Sequence, residues 1–411
     1  MPLANDLTTF FDNNQSRARD ELFDLLRIPS VSARSEHNAD TARAAEWVAN
    51  SLRAIGLTVA VHGTKGHPIV VGEWRQAPPG AQTVLVYGHY DVQPAEPLEL
   101  WGSPPFEPTV RDRKIFARGS VDDKGQLFLH VKALEAHLAT RGKLPVNIIV
   151  LAEGEEEVGS EHLADFIQAH AKELACDAVV ISDSAMFAPG LPSILSSLRG
   201  LAYFQIDVRD WGDVARRQMK QLPFDEKAFR AETGSPALFG EKGYTTLERL
   251  WMRPTCEVNG LLSGYTGEGA KTVLPAVAMA KVSCRLVPDQ RPEKIEQLMR
   301  AHVERVCPPG VEATVRPLHG GNPWRADLGG PLFDAARRAL ATAFDREPVI
   351  TGEGGSIPVV GDFQRILNAP VLLVGFGLPG ENAHAPNEWL SEENFYKGMR
   401  AMAALWEELG K

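Results

Sequence analysis

Apolar positions along the chain follow two periods. Between Arg17 and Ile28 the residues Leu22, Phe23, Leu25 and Leu26 form a helical stripe that Pro29 closes, and residues 41–55 form a second amphipathic helix ended by Gly56. Short runs rich in valine and isoleucine recur at 83–87, 146–152, 178–182 and 371–376. Each is too short for a free-standing helix and is bounded by Pro, Gly or polar residues, so each predicts a buried strand. Helical patterns at 126–139 and 160–175 separate them, as in an α/β fold whose mixed sheet is covered by helices on both faces.

The middle of the chain reads differently. Residues 201–208, 255–259, 278–287 and 311–317 predict half-buried strands, with a helix at 292–306. The α/β pattern resumes with helices at 332–344 and 391–409 around the last buried run. The expected organisation is a catalytic-type domain in two pieces, 1–199 and 321–411, interrupted by a smaller α+β insert at 200–320.

Composition narrows the function classes. The 411 residues hold 43 basic and 53 acidic side chains, a net charge of −10, which argues against nucleic acid as the main partner. No long uncharged apolar run predicts a membrane span. Residues 1–15 carry Asp6 and Asp12 and lack a basic region followed by an apolar core, so no signal peptide is expected. Cys176, Cys256, Cys284 and Cys307 are widely spaced and form no CxxC pair, which fits a reducing cytosol.

The candidate chemistry follows the four buried runs. They lead into His89 and Asp91, into Glu155, Glu156 and Glu157, into Asp183, and through a Gly-rich loop to His384. Ligands in open α/β sheets bind beyond the carboxyl ends of strands, so these side chains are expected to share one crevice. The pair Asp122-Asp123 precedes the helix at 126–139. Imidazole with carboxylate and no thiolate suits zinc, manganese or cobalt, and crowded carboxylates favour two ions over one. Asp91, two residues from His89, is spaced to fix its tautomer. Each piece alone has an ordinary reading: a turn for His89-Tyr90-Asp91, a solvated run for the glutamates, a helix cap for Asp122-Asp123. Four strand ends each offering a ligand favour a metal site.

The segments Gly88-His89-Tyr90-Asp91-Val92-Gln93-Pro94, Gly119-Ser120-Val121-Asp122-Asp123-Lys124-Gly125-Gln126, Glu153-Gly154-Glu155-Glu156-Glu157-Val158-Gly159-Ser160 and Ala383-His384-Ala385-Pro386-Asn387-Glu388 resemble a family of di-zinc metallopeptidases. That family includes carnosinases, cytosolic nonspecific dipeptidase, aminoacylase and succinyl-diaminopimelate desuccinylase. The carnosinase and dipeptidase branch is the most similar, also through Trp251-Met252-Arg253-Pro254-Thr255, Ser263-Gly264-Tyr265-Thr266-Gly267 and Gly354-Gly355-Ser356-Ile357-Pro358. The resemblance implies a zinc-peptidase-like catalytic domain with a lid, and two divalent ions, zinc first and manganese or cobalt as alternatives. One ion would be held by His89 and Asp183, the other by Glu157 and His384, with Asp122 bridging and a cis peptide between Asp122 and Asp123. Glu156 would be the general base for amide hydrolysis of short peptides, with Asp91 as the other catalytic residue. Arg285 would meet the substrate's C-terminal carboxylate, with Thr272, His319 and Ser356 lining the pocket; a surface charge at a strand end and an ordinary turn are the alternatives for Arg285 and His319. Deacylation of N-acyl amino acids is the runner-up within the same chemistry, and a metal-binding scaffold is the reading from another class.

The resemblance also implies a homodimer joined through the lid. After residue 208, however, the chain lacks the expected Asp-Leu-His-Ser-Gly segment, and no histidine occurs between His170 and His302. The histidine that such lids lend to a neighbouring subunit has no counterpart here.

Overall fold

The structure, a computed structural model, describes residues 2–202, 219, 222–318, 320–355 and 357–411. The chain divides into two compact units, one of residues 1–195, 326–350 and 362–411 and the other of residues 196–325 and 351–361.

The first unit is built on a mixed sheet in the order Thr58–His62, Ile69–Trp74, Asn147–Glu153, Thr83–His89, Ala178–Ile181, Val371–Leu373. The last four strands in this order run parallel, and these are the four runs expected from the sequence. The Thr58–His62 and Ile69–Trp74 strands, which their looser apolar spacing does not announce, add an antiparallel edge. Along Thr83–His89 every residue after Thr83 is buried, because both faces of the strand are covered. Val84 and Val86 enter a large core shared with helices Asn5–Leu26, Lys124–Arg141, Pro331–Phe344 and Glu392–Leu409. Tyr87 points the other way, with its ring 5.2 Å from that of Phe363. Two faces of apolar contact hold the strand ends rigidly, and those ends carry the chemistry.

A small sheet of Thr109–Arg111, Lys114–Phe116 and Trp389–Ser391 joins two loops that the sequence left unconnected. One loop follows Phe116 and reaches Asp122; the other precedes Trp389 and contains His384.

The second unit holds a four-stranded antiparallel sheet in the order Thr255–Ser263, Ala278–Leu286, Gly200–Ala202, Gly320–Gly321, with the helix Pro292–Val306 as expected. One small apolar cluster of this unit, among the described residues, joins Cys284, Leu286 and Ile295, backed by Met299 and Val315. The strand expected at 311–317 is not formed: among the described residues that segment pairs with no strand, and it runs as irregular chain up to residue 318. Most of the strand expected at 201–208, and most of the segment after it, lies outside the described residues. No helix among the described residues is long and apolar enough to cross a membrane.

Candidate metal centre

The parallel register sets His89 opposite Glu153 and Tyr87 opposite both Leu151 and Ile181, so the strand ends meet at one edge. Asp183 lies two residues past Ile181, and Glu156 and Glu157 form a short turn, Glu156–Val158, just past Glu153. Gly88 is required here: a Cβ on it would sit 2.8 Å from Asp123 Oδ2 and 3.0 Å from Leu127 Cδ1. Asp122 and Asp123 are joined by a cis peptide.

His89, Asp122 and Asp183 form one group of potential metal ligands, and Asp122, Glu157 and His384 form a second. Asp122 belongs to both. His89 Nε2 lies 3.1 Å from Asp122 Oδ1 and 3.9 Å from Asp183 Oδ2. His384 Nε2 lies 2.8 Å from Asp122 Oδ2 and 3.1 Å from Glu157 Oε2. Each carboxylate oxygen of Asp122 thus faces a different imidazole, the disposition a bridging ligand needs. In each group the ligand atoms all lie within 4.8 Å of one another, and the nitrogen and oxygen donors match hard to borderline divalent ions.

Electrostatics point the same way. Burial and the neighbouring Asp122 and Glu157 carboxylates push Asp183 up to about 7. Burial, with Asp183, Asp122 and Glu157, also raises Glu156 well above the usual range. Burial opposes ionisation of Asp122 as well, yet hydrogen bonds from His384 and His89 hold it below the usual range. The same bonds with Asp122 and Glu157 raise His384 to about 11. So many acids in so little space call for positive charge, which two divalent ions would supply.

Asp91 is fully buried, and it holds more than the His89 ring it is expected to fix. His89 Nδ1 donates to the Asp91 backbone carbonyl at 3.2 Å, with Asp91 Oδ1 at 3.4 Å. The carboxylate itself accepts from the amides of Glu156 at 3.3 Å and Glu157 at 3.1 Å. It therefore grips the histidine and the glutamate turn together. Gln93 adds a second grip, donating from its amide side chain to Glu157 Oε2 at 2.9 Å and from its backbone to Oε1 at 3.2 Å. Beneath the turn, Glu153 accepts from Tyr87 at 2.5 Å and Ser160 at 2.8 Å, while burial pushes its carboxyl up to about 7. Gln93 and Glu153 were not singled out from sequence, because nothing in the spacing shows which polar side chains turn inward.

The expected substrate residues lie elsewhere in the chain. Arg285 is half-buried on Ala278–Leu286 of the second unit, paired with Thr255 and Leu201. Thr272 is exposed in irregular chain of that unit. His319 and Ser356 lie outside the described residues.

A sequence model of Peptidase family M20/M25/M40 matches residues 85–408, a span that contains every residue of the two ligand groups. The chain belongs to Peptidase family M20/M25/M40. Among M20 relatives, the Cys-Gly metallodipeptidase dug1 of Schizosaccharomyces pombe is 30% identical, with 93% of each chain covered. That alignment runs over 445 positions, more than the 411 residues present here, so the relative carries residues that this M20 chain lacks. The solved structure of the di-peptidase Dug1p from Saccharomyces cerevisiae superposes with a TM-score of 0.86 at 26% identity, covering 98% of both chains. Human carnosine dipeptidase 1 gives 0.88 at 25% identity over the whole of both.

Proposed function

We propose that this chain is a di-metal dipeptidase acting on dipeptides with a free C-terminal carboxylate. The observation that carries the reading is Asp122, whose two oxygens face His89 and His384 separately, with the Glu156 carboxyl inside the field of the same cluster. His89, Asp122 and Asp183 would hold one ion; Asp122, Glu157 and His384 would hold the other. Zinc is the first choice, with manganese and cobalt suited to the same donors. Bound ions would lower the pKa of a water and polarise the substrate carbonyl. Glu156 takes the proton from the attacking water and returns it to the leaving amine. Asp91 keeps His89 and the Glu156 turn in register during that exchange.

Arg285 is assigned to the C-terminal carboxylate, which a guanidinium engages through two hydrogen bonds. Thr272, His319 and Ser356 are assigned to the same pocket. The relatives named as dipeptidases support the choice of substrate. Four widely spaced cysteines with no CxxC pair support a reducing, cytosolic setting.

The test uses protein of verified intact mass, loaded with Zn²⁺, Mn²⁺ or Co²⁺ and assayed on a dipeptide panel and the matching N-acetyl amino acids. Faster turnover of dipeptides is expected. Preference for the acyl series would make the chain an N-acyl amino acid amidohydrolase, and stoichiometric metal without turnover would make it a metal-binding scaffold. Glu156→Gln should lower kcat by ~10²–10⁴ at unchanged metal content; unchanged kcat would remove Glu156 as the base.

A further inference from the structure

Glu388 faces neither ligand group, yet it is fully buried four residues beyond His384. Its carboxylate is filled by donors from the loop that carries Asp122. Oε2 accepts from Arg118 Nη1 at 2.6 Å and from the Gly119 amide at 3.0 Å. Oε1 accepts from the amides of Val121 at 3.0 Å and Asp122 at 3.2 Å. The Glu388 backbone carbonyl accepts from Ala117 at 3.2 Å. Five bonds therefore join the His384 loop to residues 117–122.

The guanidinium extends the link. Arg118 is 1% exposed, and its Nη2 donates to the carbonyl of Pro94 at 3.1 Å. Pro94 follows Gln93, whose side chain holds Glu157. One buried ion pair thus ties together the segments behind His89, Asp122, Glu157 and His384. An ion pair in the interior adds little stability over apolar packing of the same volume. What this one supplies is geometry, since four donors fix both oxygens of the carboxylate.

We infer that Glu388 is a positioning residue for the two-ion cluster: through Arg118 and the amides of Gly119, Val121 and Asp122 it fixes bridging Asp122 against His384. The inference rests on the reading that the cluster binds two divalent cations. Glutamine in place of Glu388 turns one acceptor oxygen into a donor that faces donors and leaves the Arg118 charge buried without a counter-ion. Aspartate keeps the charge but is one methylene too short to hold Arg118 and the far amides together.

The experiment titrates metal-free protein with Co²⁺, reading visible absorption and calorimetry, for the full chain and for Glu388→Gln, Glu388→Asp and Met402→Ala. Met402 is buried in the core of the first unit, on the helix Glu392–Leu409, and supplies a destabilised control outside the ligand loops. The expected result is two ions bound by the parent chain and a 10–100-fold loss of affinity in Glu388→Gln, with an altered Co²⁺ spectrum and Met402→Ala unchanged. If Glu388→Gln does not fold, Glu388→Asp, with its ion pair to Arg118 retained, carries the same expectation. Folded Glu388 variants that bind Co²⁺ within twofold of the parent would overturn the inference, as would a loss in Met402→Ala equal to theirs. A parent chain that binds no Co²⁺ would instead remove the di-metal reading beneath it.

Discussion

The two units use strands in opposite ways. In the first, Asn147–Glu153 is buried from its second residue to its last, and Thr83–His89 shows the same pattern. In the second, Thr255–Ser263 is open along most of its length, with Val258 65% and Leu261 78% exposed. A strand packed on both faces cannot shift its register without unpacking a core, so side chains at its end are held to fractions of an ångström. A strand open on one side carries no such constraint. Chemistry that needs fixed geometry is thus expected of the first unit, and substrate contact of the second.

The largest test of that division is Asp122→Ala. Removing the shared carboxylate should abolish binding of both ions and lower kcat/KM by at least ~10³-fold, since metal assistance supplies several kcal/mol. Metal analysis and steady-state kinetics read it; two ions retained would refute the bridging role. Next comes the same substitution made in both units. Leu85→Ala, at a fully buried strand position, should cost about 2–5 kcal/mol, and Leu261→Ala about 0.5 kcal/mol or less. Denaturant unfolding compares them, and equal losses would break the contrast.

A smaller effect is expected of Arg285→Ala. Loss of a charge-assisted contact costs about 1.5–3 kcal/mol, roughly ten- to a hundredfold in kcat/KM, and should be carried by KM. A fall in kcat at unchanged KM would place Arg285 in the chemistry of the first unit instead.

The smallest concerns pH. His130 is buried on Lys124–Arg141 with Nε2 2.7 Å from Ser182 Oγ, and burial lowers its pKa from 6.5 to about 3. Between those values the unfolded chain binds a proton that the folded chain does not, so stability falls as pH drops from 6.5 towards 3. The slope for one group is at most ~1.4 kcal/mol per pH unit. His130→Gln should remove that share of the slope when urea midpoints are compared at pH 7 and pH 5; identical slopes would show that His130 is not its source.

Most of the candidate ligands were legible because they follow short apolar runs. His89, Glu157 and Asp183 needed only the strand periodicity and the rule that open α/β sheets bind at the carboxyl edge. His384, reached through a Gly-rich loop after the last run, and Asp122, just before a helix, were expected from the same placement, and the family resemblance then gave each its role. Glu388, Gln93 and Glu153 were not legible as working residues, since an acid or amide in sequence looks the same whether it faces water or a buried guanidinium. The strand expected at 311–317 failed for a related reason. Its apolar residues predict a strand, but a strand exists only where a neighbour offers a ladder, and none among the described residues does.

Sequence by itself determined the donor types and the order in which strands deliver them, because period and composition are local properties of the chain. Tertiary structure alone decided which acids serve the cluster and which serve the backbone. Asp122 and Glu388 stand 266 residues apart. One turns both oxygens to imidazoles, the other turns both to amides and an arginine, and that division depends on which donors lie within about 3 Å once the loops have packed.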